Sequence, residues 1–343
     1  MTTRYVYDFT EAPAGVPGAV GLLGEKGAEL AELTRMGLPV PPGFTVTTEA
    51  CRVFRATGEP PPGLDREIGE HLAALERTAG KRLGRVDDPL LLSVRASAEH
   101  PAPGLMETVL DLGLNDYAVL GLGKAPDRER FAWDSYRRLV QMFGTTVMGV
   151  DPARFERVLN GIERQHQVPD DSRLDTSDLI RTVESFKDVI AETTGEEFPQ
   201  EPAEQLRRAV LAAFACIPDR DPEPGPDPDP DGRGTAATAT AVTVQTMVFG
   251  NLGPDSGSGL AVLGRDPRAE GEGRYLPNAQ GRDVVSGARP ALPLRELAQL
   301  DPEAYARLTA CLHRLAAHHR GPCEVQFTIE HGTLWLLGAH PTG

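Results

Sequence analysis

Cysteine, aromatic residues and basic charge are all scarce in this sequence of 343 residues. The four cysteines lack C-x-x-C spacing, which argues against a zinc site or a disulfide framework and predicts reduced thiols in the core. Only 35 lysines and arginines face 50 acidic residues, so the formal net charge is −15. Because nucleic acids are bound by basic surfaces, no nucleic-acid partner is expected, although a local basic pocket for a small phosphorylated ligand remains possible.

Targeting signals and long apolar runs are also missing. The first dozen residues include Asp8 and Glu11 and lack the charged-then-apolar pattern of a secretory peptide, which predicts a cytoplasmic location. The longest uncharged run, Gly234 to Pro254, contains several threonines together with Gln245 and Asn251. This composition favours a buried strand over a membrane span, and no membrane partner is expected.

The N-terminal third alternates between helical and extended patterns. A helix is predicted over Lys26 to Met36, and Gly37 followed by a proline supplies its C-terminal stop. Alternation of apolar and polar residues over Phe44 to Thr47 predicts a half-buried strand. The apolar run Leu90 to Val94 predicts a more buried strand that leads into Arg95 at its end.

The middle third has helical periodicity and is followed by an acidic tract. Two helices are predicted from apolar residues at three- and four-residue spacing, namely Ala132, Tyr136, Leu139, Phe143 and Val147 in the first and Leu179, Val183, Phe186 and Ile190 in the second. Another helix begins at Pro202 and ends near Phe214. The 13 residues from Asp219 to Asp231 contain six acids and five prolines, which predicts a mobile surface linker.

The C-terminal third returns to alternation with a period of two. A strand is predicted from Val242 to Phe249, a helix begins at Asp301 and Pro302, and a hairpin follows in which Val325 and its alternate neighbours face inward. The turn of this hairpin is predicted at His331 and Gly332. The elements do not alternate regularly, so an α+β architecture is favoured over a doubly wound sheet.

Three features have the chemistry of a phosphate site. The segment Asn251 to Gly259 is rich in glycine and follows a strand, Lys26 lies at the start of a helix, and Arg95 lies at the end of a buried strand. A hairpin without a ligand explains the glycines equally well, and the phosphate-loop pattern G-x-x-x-x-G-K-[ST] is absent. Each cation could equally be held in a structural ion pair.

The last strand pair raises the possibility of a metal site. Glu324 and Gln326 are two residues apart and therefore point from the same face of a strand. Two carboxylates so placed would hold Mg²⁺ against a triphosphate, but here one is an amide. The alternative is a pair of polar residues on the solvent face of a hairpin.

Motifs along the whole sequence resemble one family. The matching segments are Tyr5–Phe9, Gly24–Glu32, Gly37–Phe44, Thr47–Cys51, Ser93–Arg95, Leu112–Asp116, Asp134–Arg138, Gln141–Gly144, Met247–Asn251, Asn278–Gly281 and Phe327–Glu330. They resemble the N-terminal nucleotide-binding domain of pyruvate, phosphate dikinase. Because they run from one end of the sequence to the other, the resemblance covers the whole sequence.

The resemblance implies an ATP-grasp fold of subdomains with a helical middle segment. Its expected divisions are residues 1–115, a mainly helical part at 116–217, an acidic linker at 218–233 and a C-terminal subdomain at 234–343. ATP would bind with Mg²⁺, and its phosphoryl group would pass to a histidine on a separate domain or protein. The implied nucleotide-binding residues are Lys26, Arg95, Arg137, Gln245, Met247, Gly257, Gly259 and Gln280, and the implied metal pair is Glu324 and Gln326.

Several positions depart from the family pattern on the expected catalytic face. An acid of the metal pair is replaced by Gln326, an arginine by His340, and two further acids by Arg274 and Arg282. Losing a carboxylate and a permanent positive charge weakens the stabilisation of a transferring phosphoryl group. The alternative function is therefore a nucleotide-binding regulatory protein without catalysis, and the resemblance implies no complete dikinase activity from this chain by itself.

Overall fold

The computed structural model describes residues 3–13, 15, 18–98, 108–124, 128–216, 239–264, 271–286 and 289–341. The chain divides into two compact units, the first formed by residues 1–8, 16–27 and 42–247 and the second by residues 9–15, 28–41 and 248–343. The predicted acidic linker lies outside the described residues. All four cysteines are free thiols and three are buried, as expected. Within the described part of the chain, no helix is long and apolar enough to cross a bilayer.

The first unit combines a five-stranded antiparallel sheet with a group of helices. Its elements are β1 (Val6–Asp8), α1 (Ala19–Arg35, of which residues 28–35 belong to the second unit), β2 (Gly43–Val46), α2 (Thr48–Thr57), α3 (Leu64–Ala79), β3 (Arg82–Leu83), β4 (Pro89–Leu90), β5 (Leu92–Ala98), β6 (Val109–Leu112), α4 (Ala118–Leu122), α5 (Glu129–Thr146), α6 (Pro152–His166), α7 (Thr176–Thr194), α8 (Pro202–Ala215) and β7 (Thr240–Thr246). The sheet has the order β1-β2-β7-β5-β6, and β3 pairs with β4 separately.

In the middle part of the chain, α5 and α7 are the helices that the apolar spacing predicts, and α8 begins at Pro202 as expected. The helix α6 was not predicted. Its apolar residues do recur at helical spacing, at Phe155, Val158, Leu159 and Ile162, but only Phe155 is fully buried. Its start is fixed by Asp151, whose side chain accepts a hydrogen bond from the Ala153 amide at 2.9 Å.

The strand β2 is fully buried, whereas its alternating sequence predicted a half-buried strand. One face is covered by α1, because Gly27 packs directly against Thr45. The opposite face carries Phe44, whose ring lies 6.0 Å from that of His71 on α3. A polar residue at alternate positions therefore marks a helix contact here rather than a solvent face.

The strand β7 lies in the sheet of the first unit, between β2 and β5. The sequence-based division instead grouped everything from residue 234 with the C-terminal part. The strand β5 also differs from expectation, because it continues past Arg95 to Ala98, so Arg95 lies inside the strand. Pairing with β7 extends to Ala98 and Thr240, which keeps β5 extended beyond its apolar run.

The second unit contains another antiparallel sheet, covered by one long helix. Its elements are β8 (Gly257–Leu263), β9 (Glu272–Pro277), α9 (Gly281–Ser286), β10 (Leu292–Pro293), α10 (Leu297–Leu300), α11 (Pro302–His319), β11 (Cys323–Glu330) and β12 (Thr333–Pro341), with the sheet order β10-β9-β8-β11-β12. Leu308, Leu312 and Leu315 of α11 pack into the same core as Val325 and Phe327.

Local signals in the second unit act as the sequence predicts. Asp301 begins α11, and its side chain accepts a hydrogen bond from the Ala304 amide at 2.9 Å. His331 and Gly332 form the turn between β11 and β12 with positive φ angles of 47° and 70°. The predicted α+β class is confirmed, with both sheets antiparallel and the helices outside them.

Candidate functional site

One face of the first sheet carries polar side chains on three neighbouring strands. Arg95 of β5 lies directly opposite Thr243 of β7, which in turn lies opposite Thr45 of β2. Residues that are directly opposite in a sheet share a face, so these three side chains form one row. Gln245 belongs to the same face, because it is two residues from Thr243.

The segment from Gly24 to Gly27 lies on this polar face. Gly24 has a φ of 69°, and a Cβ atom there would lie 2.6 Å from the Ser97 carbonyl oxygen, so only glycine fits. This residue breaks α1, and the helix resumes immediately after it. The Lys26 amide then donates to Ser97 Oγ at 2.9 Å, which attaches Lys26 to the strand that carries Arg95.

The structure therefore places Lys26 and Arg95 on one face of one sheet, although 69 positions separate them in the sequence. The face also contains two polar groups that the sequence analysis missed. The Thr45 and Thr243 hydroxyl groups are buried and make no hydrogen bond to any described residue. Buried polar groups are normally paired, so these two hydroxyls are exceptions beneath the segment from Gly24 to Gly27. In the sequence, each of these threonines stands between two apolar residues of its strand, and this pattern could have identified them.

Two other predicted ligand residues lie at the end of β7. Gln245 is 5% exposed, and its backbone oxygen accepts a hydrogen bond from Ser93 Oγ at 3.4 Å. Met247 lies just beyond the strand, where its amide donates to the Leu91 carbonyl at 2.9 Å. These contacts position both residues next to the beginning of β5.

Arg137 lies elsewhere in the first unit and is committed to buried ion pairs. Its side chain is 2% exposed, and its Nη2 atom lies 2.8 Å from both Asp134 Oδ1 and Asp171 Oδ2. Its Nη1 atom donates to Gln141 Oε1 at 3.2 Å. This geometry gives Arg137 a structural role in joining α5 to the turn at Asp171, and nucleotide binding by Arg137 stays a prediction.

Gly257 and Gly259 of the second unit do not lie in an open loop, as the sequence analysis assumed, but in β8. A Cβ atom on Gly259 would lie 2.4 Å from the Phe327 ring, and one on Gly257 would lie 2.2 Å from the Tyr275 hydroxyl oxygen. The Tyr275 and Phe327 rings are parallel within 4°, with centroids 6.2 Å apart. These glycines therefore make room for aromatic rings, and phosphate binding by them stays a prediction.

The true loop, residues 251–256, is held by the β11–β12 turn. Before it, the Phe249 amide donates to Glu330 Oε1 at 2.9 Å. Within it, Asp255 pairs with His331 Nδ1 at 2.9 Å, and this hydrogen bond lowers the pKa of the Asp255 carboxyl. Gln280 lies close to the start of this loop in space, because the amide of its neighbour Ala279 donates to the Gly250 carbonyl at 2.8 Å.

Glu324 and Gln326 occupy one face of β11, as predicted, but this strand is flanked by β8 and β12. Glu324 lies opposite His340, whose Nδ1 atom is 3.9 Å from Glu29 Oε2. Among the described residues, no cluster of three or more histidine, cysteine or acidic side chains could hold a metal ion. A single carboxylate with an amide and an imidazole fits Mg²⁺ poorly, since Mg²⁺ prefers carboxylate oxygens in octahedral geometry.

Comparison with known proteins gives one consistent relationship. The family model described as "Pyruvate phosphate dikinase, AMP/ATP-binding domain" matches residues 20–83, which include Gly24 and Lys26. Pyruvate, phosphate dikinase of Clostridium symbiosum is 42% identical over 340 residues, which cover 97% of this chain and 38% of the relative. The chloroplastic pyruvate, phosphate dikinase 1 of Arabidopsis thaliana is 43% identical over 328 residues, covering 94% of this chain and 33% of the relative.

A third relative, pyruvate, phosphate dikinase of Giardia intestinalis, is 38% identical over 352 residues, covering 99% of this chain and 39% of the relative. The chain therefore spans little more than a third of the length of these curated relatives. The family match contains the glycine break and the lysine that lie on the polar face of the first sheet. By these matches, the chain belongs to the family of the pyruvate, phosphate dikinase AMP/ATP-binding domain.

Proposed function

We propose that the chain binds ATP, with the phosphates held between Lys26 and Arg95 on the polar face of the first sheet. The observation that carries this proposal is the hydrogen bond from the Lys26 amide to Ser97, which attaches a helix start to the strand of Arg95. Amide groups at a helix start favour anions, and two cations beside them add charge-assisted hydrogen bonds.

Alanine in place of Lys26 or Arg95 is expected to lower ATP affinity about tenfold or more, because each change removes a charge-assisted contact. Thermal stability should change little, since a partly solvated cation contributes little to folding. Isothermal titration calorimetry with ATP measures the first effect and thermal unfolding the second. Exposed Lys124 and Arg157, changed to alanine, are matched controls. Unchanged ATP affinity in both test variants would contradict the proposed phosphate site.

We further propose an ATP-grasp arrangement and a phosphotransferase-like activity, in which a phosphoryl group of ATP passes to a histidine on a separate domain or protein. In-line transfer requires positioning of the phosphates and neutralisation of their charge, which Lys26 and Arg95 are suited to supply. Incubation with ATP labelled at both its β- and γ-phosphates and a supplied phosphohistidine domain tests the transfer. Label on the acceptor histidine supports this activity, and its absence despite ATP binding contradicts it.

A second candidate function is nucleotide binding without phosphoryl transfer. The observation that favours it is the face of β11 and β12, where Glu324 is accompanied by Gln326 and His340 rather than by acids and an arginine. Such a donor set does not suit Mg²⁺, which prefers several carboxylate oxygens. The protein would then act as a regulatory relative that responds to the bound nucleotide.

Mg²⁺ is expected to improve ATP binding by the unmodified protein only slightly. The variant Gln326→Glu adds a second carboxylate to the same face as Glu324 and should increase the ratio of ATP affinities with and without Mg²⁺. Calorimetric titrations with and without the metal give that ratio. Exposed Gln299, changed to glutamate, controls for the added charge in the same unit. If Mg²⁺ already strengthened ATP binding strongly in the unmodified protein, the Gln326 amide would be a sufficient metal ligand beside Glu324, and this prediction would be wrong.

A further inference from the structure

Asp111 is a buried carboxyl group on a bulged strand. Its side chain is 5% exposed, and its φ of 60° lies in the left-handed region. On β5, Leu92 and Val94 are two residues apart, but their partners on β6, Leu112 and Val109, are three apart. The extra residue makes a bulge, and aspartate is one of the few residues that tolerates its backbone conformation. The bulge therefore fixes the carboxyl group in place.

In the part of the chain that the structure describes, the charged groups acting on Asp111 both come from α5, which packs against β6. They are Arg138 and Asp134. Arg138 Nε already lies 3.0 Å from Asp134 Oδ2, so the neighbouring cation is shared with a second carboxylate. Asp111 Oδ1 makes no hydrogen bond to any described residue.

Among the described residues, the other elements packed against β6, namely β5 and α8, add no charge at this position. The strand β5 contributes Leu92 and Val94, which are buried and apolar. The helix α8 contributes Gln205, whose side-chain amide is neutral. Its Oε1 atom accepts a hydrogen bond from the Gly113 amide at 3.0 Å, and its Nε2 atom donates to the Leu114 carbonyl at 2.9 Å. A negative charge on Asp111 is therefore opposed by burial and by Asp134, and is favoured by Arg138 alone among these groups.

We propose that the contact between β6 and α5 is a latch operated by one proton, closed when Asp111 is protonated and loosened when Asp111 is ionised. In the closed state a neutral carboxyl group occupies the buried position, and Asp134 keeps its ion pair with Arg138. When the Asp111 O–H bond breaks, the proton passes to solvent and the new carboxylate competes with Asp134 for Arg138. This latch does not depend on the proposed nucleotide site.

The direction of the effect follows from proton linkage. Burial raises the pKa of Asp111 to about 7, with Arg138 opposing and Asp134 reinforcing the shift. In the unfolded chain the group titrates near its ordinary pKa of about 4. Between about pH 4 and pH 7 the native state therefore holds a proton that the unfolded state has released, and stability from this group is lost as the pH rises.

The test compares unfolding of the full chain at a series of pH values with that of Asp111→Asn, which stays neutral. The sequence has two tryptophans, Trp133 on α5 and Trp335 in the second unit, so a Trp335→Phe background makes fluorescence report the first unit alone. From about pH 5 to pH 7, the unfolding constant of the parent should rise relative to the variant by up to about tenfold per pH unit, and the ratio should then level off.

Hydrogen exchange of the β6 amides provides a readout of loosening. After correction for the intrinsic rate, these amides should exchange faster at pH 8 than at pH 6 in the parent and equally in Asp111→Asn. Exposed Asp188, changed to asparagine, is the matched control and should leave both measurements like the parent. Parallel pH curves for parent and Asp111→Asn would overturn the latch, as would an equal effect of the control.

A second variant keeps the test decisive if asparagine prevents folding. Asp111→Gly removes the carboxyl group and adopts a positive φ without strain. It should show the same insensitivity to pH as Asp111→Asn. Failure of both neutral variants to fold at pH 5 would also overturn the proposal, because the closed latch requires no charge at this position.

Discussion

Alanine in place of Arg137 is expected to lower the free energy of unfolding of the first unit by about 3–5 kcal/mol. The Arg137 guanidinium is 2% exposed and bridges Asp134 and Asp171. Its removal leaves Asp134, which is 13% exposed, in an ion pair with Arg138 at 3.0 Å. Breaking a buried ion pair from one side is costly because the partner keeps its charge but loses its compensation.

The pKa of Asp134 offers an independent readout of the same loss. Burial by itself would raise this pKa, but the charges of Arg138 and Arg137 outweigh burial and hold it below its ordinary value. A lowered native pKa contributes stability above the unfolded pKa that is lost as the pH falls. Arg137→Ala should therefore remove part of the stability gained between acidic and neutral pH, as measured by the unfolding free energy at pH 3 to 7.

The matched control is Arg138→Ala, because Arg138 pairs with the same carboxyl group but is 38% exposed. Its loss should be smaller than that of Arg137, because solvent screens the more exposed Arg138 guanidinium. Urea unfolding followed by Trp133 fluorescence compares the two variants. If Arg137→Ala kept full stability and instead lost ATP affinity, Arg137 would be a ligand residue, as the family resemblance implies, rather than a structural one.

Alanine in place of Gly259 is expected to destabilise the second unit by about 3 kcal/mol, the upper end of the usual cost of overpacking. The added Cβ atom would lie 2.4 Å from Phe327 Cζ and 2.6 Å from the Arg274 carbonyl oxygen. Phe327 and Arg274 belong to the two strands that flank β8, so the methyl group would meet neighbours from both sides. The Phe327 ring also lies parallel to that of Tyr275, which limits its movement.

Trp335 on β12 reports unfolding of the second unit in a Trp133→Phe background. Gly281→Ala is the control, because a Cβ atom there meets no other atom within 4 Å. The control should unfold like the parent, while Gly259→Ala should shift the urea midpoint strongly. Parent-like stability of Gly259→Ala combined with weaker ATP binding would assign Gly259 to a ligand contact and contradict the packing account.

Features encoded within a few neighbouring residues could be predicted from the sequence. The C-terminal stop of α1 at Gly37, the start of α11 at Asp301 and the turn at His331 and Gly332 all depend on local backbone preferences. The shared face of Glu324 and Gln326 follows from the two-residue period of a strand. Sequence motifs likewise indicated the family to which the chain belongs.

Only the tertiary structure decided the contacts between distant segments. Ser93 contacts Gln245 across 152 positions, and this pairing places β7 beside β5 and puts Thr243 in a row with Arg95. The tertiary structure also brings Asp171 to Arg137, where the two side chains form an ion pair. Local periods describe which residues share a face of one element but not which other element covers that face. Burial and pairing across the whole sheet make that choice, and they determine whether a polar residue meets solvent, a helix or a ligand.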